Sequence, residues 1–113
     1  MITTHVLDLA RGVPAAGMAV TLEIVRPADG EWQAIGRGAT DARGRLTSLT
    51  DGWTMVAGTY RLTFDTGGYH RDCGARAPFF PYVQIAFDIE RPDEHFHVPL
   101  LLSPFGYSTY RGS

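Results

Sequence analysis

Three side chains combine residue types suited to acid–base chemistry with positions on strands or turns that face away from the apolar alternation: His5, Arg45 and His97. Imidazole is the one side chain whose unperturbed pKa lets it take and return a proton near neutral pH. Arginine stays charged and offers a planar fork that matches carboxylates and polarised carbonyls. The sequence stops at Ser113 without a floppy polar tail, so its carboxylate is expected to be placed in the same region. Two imidazoles, a guanidinium and a carboxylate could bind a flat, polar, anionic ring and activate water against one of its carbonyls. Singly, each has a plainer reading: a strand histidine is usually a solvent-exposed polar residue, and an arginine beside a glycine turn is usually a surface cation.

Other chemistries find less support. His95 and His97, two apart on one strand, point the same way and could bind a metal ion with His5 as third ligand. No acidic residue is placed to orient them, and the expectation is a site with no metal and no cofactor. No Gly-x-Ser-x-Gly elbow and no glycine-rich phosphate loop occurs. The ten cations are all arginine and scattered from Arg11 to Arg111, with a net charge of −2, so the basic stripe that nucleic acid requires is absent. No apolar run approaches the roughly 20 residues needed to span a bilayer. The N-terminus has neither a basic region nor an apolar one, so no secretory signal is expected and a cytoplasmic location is the default. A single cysteine, Cys73, has no partner for a disulfide and is expected to be a buried or half-buried thiol.

The elements that must position these side chains are strands. Alternation puts Thr3, His5 and Leu7 on one face of residues 2–9, with Thr4, Val6 and Asp8 on the other. Further strands are expected at Met18–Val25, at Glu31–Thr40 with Trp32, Ala34 and Ile35 inward, at Arg45–Thr47, at Gly58–Asp65 and at Tyr82–Glu90. Gly36 and Gly38 hint at a bulge or a close backbone approach. Gly12-Val13-Pro14 reads as a turn, and so does Asp41–Arg45, with Gly44 at positive φ. Thr66–Gly74 is the one place where period two fails, and a short helix capped by Asp65 or Thr66 fits there. Near the end of the chain, His95 and His97 face opposite Phe96, Val98 and Leu100. Ser103-Pro104-Phe105-Gly106 makes a tight turn, with glycine there to tolerate a positive φ, and a last strand follows. With 113 residues, 44% of them hydrophobic, the chain is expected to be a single domain over residues 1–113. About eight strands and one short helix argue an all-β sandwich or barrel.

The stretch HFHVPLLLSPFGYSTYRGS, ending in Tyr110-Arg111-Gly112-Ser113, resembles the C-terminal signature of the transthyretin-related 5-hydroxyisourate hydrolases. His5-Val6-Leu7-Asp8 with Gly12 and Pro14-Ala15, and Asp41-Ala42-Arg43-Gly44-Arg45, resemble two further signatures of that family, so the resemblance covers effectively the whole chain. It implies a transthyretin-like eight-stranded two-sheet sandwich with one short helix. It also implies a homotetramer, a dimer of dimers, with sites in the channel between dimers. The implied reaction is hydrolysis of 5-hydroxyisourate, in urate degradation, to 2-oxo-4-hydroxy-4-carboxy-5-ureidoimidazoline. The implied catalytic residues are His5, Arg45, His97 and Ser113, with His5, Arg45, Tyr110, Arg111 and Gly112 binding substrate; which imidazole is the base stays open. Phe96 and Phe105 stand where the family often has tyrosine. The competing expectation is a non-enzymatic carrier of small aromatic anions on the same fold.

Overall fold

Alternating polar and β-branched or aromatic residues leave each segment one apolar face, and packing two layers of such faces produces this architecture. The computed structural model describes all 113 residues. Its elements are β1 (Ile2–Asp8), β2 (Val13–Pro14), β3 (Ala19–Val25), β4 (Trp32–Ala39), β5 (Arg45–Leu46), β6 (Gly58–Phe64), α1 (Thr66–Asp72), β7 (Val83–Ile89), β8 (Phe96–Ser103) and β9 (Gly106–Thr109). One sheet runs β2-β1-β8-β9, with β5 also pairing β1; the other runs β4-β3-β6-β7. The β1–β8 pair is parallel and sets Thr3 opposite His97, while β5 sets Arg45 opposite His5.

Inward residues of both sheets meet in one core. Ile2, Val6, Leu100 and Leu102 of the first sheet and Leu22, Tyr60, Leu62 and Phe64 of the second are all fully buried. Each such aliphatic or phenylalanine side chain stabilises the fold by about 1.5–3 kcal/mol relative to exposure. Two buried polar side chains tie elements together: the Thr4 hydroxyl donates to the Val98 carbonyl at 2.6 Å, and the Tyr69 hydroxyl of α1 to Asp8 Oδ2 of β1 at 2.8 Å. The helix α1 starts where expected, with Asp65 accepting from the Gly68 N–H at 3.0 Å. No helix is long and apolar enough to cross a membrane.

Several local readings of the sequence need correction. The structure has nine strands, because after Gly12 the chain turns straight back along β1 and Val13–Pro14 pairs with Leu7 and Asp8. Trp32 lies beneath the Arg61 guanidinium, 4.1 Å from the ring centroid, on the side of β6 that also pairs with Glu23, and Ala34 is exposed. The bulge and close approach hinted by the glycines are present, by contrast: the register shift falls where Leu22 and Glu23 oppose Gly36 and Ala34, so Ile35, which packs against the core as expected, is the extra residue, and a Cβ on Gly36 would run into the Leu49 carbonyl. Gly106 opens β9 without a positive φ, pairing with Ser103 across the two-residue turn Pro104-Phe105. Cys73 is exposed at the end of α1, with Arg11 Nη1 donating to its sulfur at 3.4 Å. It caps a surface helix and fills no core space.

Candidate active site

The outward face of the first sheet collects the chemistry. Arg45 owes its place to the turn before it: Asp41 Oδ1 accepts the N–H groups of Arg43 at 2.8 Å and Arg45 at 3.0 Å. Those donated bonds also hold the Asp41 carboxyl below its usual range. Gly44, at φ 75°, lets the turn lie flat on β1, where its carbonyl accepts the Val6 N–H at 2.8 Å. The His5 ring turns toward this loop and donates from Nε2 to the Arg43 carbonyl at 2.8 Å. A carbonyl can only accept, so the proton of neutral His5 sits on Nε2 and its Nδ1 is the free acceptor.

An open cleft of about 370 Å³ lies beside this loop, lined among others by Thr3, Arg45, Thr47, His95, His97 and Ser113. Thr3 is its hub. The Thr3 hydroxyl stands 2.8 Å from His95 Nε2 and 2.8 Å from His97 Nδ1. His97 is half-buried, and desolvation, followed by the charges of Arg45, His95 and His5, holds its pKa below the ordinary imidazole value. A neutral imidazole near pH 7 can accept a proton, and His97 Nε2 is the nitrogen left over for that task. On its other flank the ring meets Gly112, whose N–H donates to the His97 carbonyl at 2.8 Å. A Cβ on Gly112 would lie 2.6 Å from His97 Cδ2, so only glycine lets the terminal segment seat against the ring.

Of the residues expected from the sequence, His97, Arg45 and Ser113 share the cleft, and His5 borders it through its pairing with Arg45. Gly112 backs the His97 ring. Tyr110 and Arg111 face elsewhere in this chain: they line an apolar groove of about 260 Å³ with Ile85, Phe87, Phe96 and Val98. Arg111 stacks over Phe96, 4.7 Å from the ring centroid, and pairs with Glu94 at 2.9 Å. The three imidazoles weighed as metal ligands do not share a focus, since His95 and His97 turn a nitrogen to Thr3 while His5 turns one to Arg43. Sequence reasoning overlooked Thr3 and Thr47 and gave His95 little weight. The signal for Thr3 was its place two residues before His5 on the same outward face.

Comparison with known proteins bears on the whole length. The model of the HIUase/Transthyretin family matches residues 2–112. The 5-hydroxyisourate hydrolase of Mus musculus is 42% identical over 99% of this chain and 94% of its own length. The uric acid degradation bifunctional protein of Arabidopsis thaliana is 48% identical over 99% of this chain, which spans only 37% of that protein. Among solved structures, transthyretin from Sparus aurata superposes with a TM-score of 0.90 at 35% identity, covering 98% of this chain and 95% of that one. Klebsiella pneumoniae 5-hydroxyisourate hydrolase gives 0.84 at 38% identity, covering 99% and 97%.

Proposed function

Because this chain belongs to the HIUase/Transthyretin family, we propose that it hydrolyses 5-hydroxyisourate to 2-oxo-4-hydroxy-4-carboxy-5-ureidoimidazoline in urate degradation, without a metal or other cofactor. The observation that carries the reading is a half-buried imidazole held neutral beside a guanidinium in one polar cleft. His97 Nε2 takes a proton from the attacking water as it adds to a ring carbonyl, a task worth about 10²- to 10⁴-fold in rate. Arg45 holds the anionic ring and stabilises the oxyanion that develops, roughly 2.7–4 kcal/mol if it acts as a side-chain oxyanion donor does. His5 assists through Nδ1, and Ser113 positions the water. Gly112 seats the His97 ring, while Arg111 anchors the segment that carries Ser113 through its contacts with Phe96 and Glu94, and Tyr110 lines the neighbouring groove.

The working unit is a homotetramer in the cytoplasm, a dimer of dimers whose clefts open into a shared channel. Its physical rationale lies at the unpaired edges of β7 and β9, which isologous contacts would cover.

The test is the absorbance decay of 5-hydroxyisourate generated in place from urate, with and without the protein and after chelator treatment. Chelator-resistant acceleration is expected, and His97→Asn should cut it at least about a hundredfold with the melting temperature kept. A protein that leaves the decay unchanged is a carrier and no hydrolase. Near-normal turnover by the Asn variant removes His97 from the mechanism.

A further inference from the structure

Thr3 has no place in the chemistry described so far, yet it is 3% exposed and its single hydroxyl meets two imidazoles. A hydroxyl carries one proton and two acceptor lone pairs, so it can donate to one ring while accepting from the other. His95 and His97 differ in their access to water: His95 is exposed and His97 is half-buried. We propose that Thr3 is a positioning residue and proton relay, accepting the His97 Nδ1–H and donating to His95 Nε2, so that His97 presents its Nε2 lone pair to the cleft. This rests on the hydrolase reading and gives that reading a tautomer and a proton path.

The proton count closes. His97 Nε2 gains a proton from water, its Nδ1 proton passes to Thr3 Oγ1, and the Thr3 hydroxyl proton passes to His95 Nε2. His97 is then neutral with the proton on Nε2, Thr3 is again a hydroxyl, and His95 is an imidazolium that sheds Nδ1–H to solvent. The base is restored when His97 Nε2 gives its proton to the departing ring nitrogen, while a proton from solvent returns along His95 and Thr3 to His97 Nδ1. Threonine suits the task because its branched Cβ stiffens χ1 and fixes the hydroxyl between the rings. The register does the rest, since the parallel β1–β8 pair sets Thr3 directly opposite His97. The other charged or titratable groups around the rings are Arg45 on β5, His5 on β1, the terminal carboxylate of Ser113 in the same cleft and the Met1 amino group, which points at the Glu94 carbonyl.

Thr3→Val keeps the shape and removes the hydroxyl; Thr3→Ser keeps the hydroxyl. Turnover of freshly generated 5-hydroxyisourate is measured for both beside the wild type. Ring ¹⁵N shifts of His97 are recorded in the free proteins. The valine variant is expected to lose about 10- to 100-fold in kcat with KM within about twofold, and serine to restore most of it. The neutral His97 ring of the wild type is expected as the Nδ1–H tautomer and that of the valine variant as a mixture. Wild-type kcat in Thr3→Val, or an Nε2–H tautomer in the wild type, overturns the proposal while leaving the hydrolase reading intact. A wild type without turnover removes the hydrolase reading and the relay with it. If valine unfolds the chain, the wild-type tautomer and the serine variant, expected active, still decide the matter.

Discussion

At the scale of single residues the balance on His97 decides between a base and a spectator. Burial disfavours its cation first, and the positive charge of Arg45 acts in the same direction, as do His95 and His5. The ordinary imidazole value is near 6.5, so the folded protein gives up this proton more readily than the unfolded chain does. Hence the penalty of burying His97 is absent above pH 6.5, and stability is lost as the pH falls from there through the lowered folded value. The rate follows the same group: the acid limb of kcat/KM should inflect below 6.5, and a ring NMR titration should place His97 there directly. Arg45→Gln removes a neighbouring positive charge, so the His97 titration should move upward in that variant. An inflection at or above 6.5 in the wild type would mean that the cleft is wetter than its lining implies. Alternation put His5 and His97 on the polar side of their strands, and it was the family resemblance that joined Arg45 to them as a set. Their hydrogen-bond partners were not legible: nothing in a linear sequence shows that the Arg43 carbonyl fixes one ring or that Thr3 bridges two others.

At the scale of elements, period-two alternation exposed nearly every strand, since each buries one face against the opposite sheet. Misreadings occurred where local chemistry overrode the pattern, as when the Arg61 guanidinium covered Trp32 outside the core. The pairing of β1 with β8 joins residues more than ninety positions apart, as Thr3 and His97 show, and alternation carries no information about it. This pairing and the Asp41 turn align the first sheet's polar face, and the terminal segment then closes on it. That segment holds to β8 through the Gly112–His97 bridge, with Arg111 pinned to Glu94 beside it. Gly112→Ala should therefore be a local lesion. Its methyl would meet His97 Cδ2 at 2.6 Å, so either the ring leaves Thr3 or the segment lifts away. A displacement of about 1 Å in a catalytic group can cost on the order of 10²-fold in rate. Turnover is expected to drop by about that factor, while the melting temperature barely moves because the segment buries little of the core. A large loss of thermal stability instead would show that the segment braces the sandwich.

At the scale of the whole molecule, the sandwich leaves surface that water covers poorly. β7 and β9 are unpaired edges flanking the groove of Ile85, Phe87, Phe96 and Val98. Around the β8–β9 turn, Phe79, Phe105 and Tyr107 are 65%, 81% and 44% exposed, and their rings touch one another or Phe80. An open edge invites strand pairing, and a cluster of exposed aromatic rings is the usual composition of a contact between chains. A twofold axis at the β7 and β9 edges would extend both sheets across two copies. A second contact, through the aromatic cluster near the sandwich end, would join two such dimers and shelter the outward polar face. Sedimentation equilibrium should therefore report four chains per particle at micromolar concentration. Phe105→Glu, at the most exposed ring, should stop assembly at the dimer, because a carboxylate there would lose its hydration in the contact. Since Phe105 lines neither the cleft nor the His97 cradle, a dimeric variant with full turnover would show that one sandwich pair suffices for the chemistry. A dimeric variant with lost turnover would place the second pair of chains in the site itself. A monomeric wild type would leave both edges and the aromatic cluster without their expected partner and end the tetramer reading.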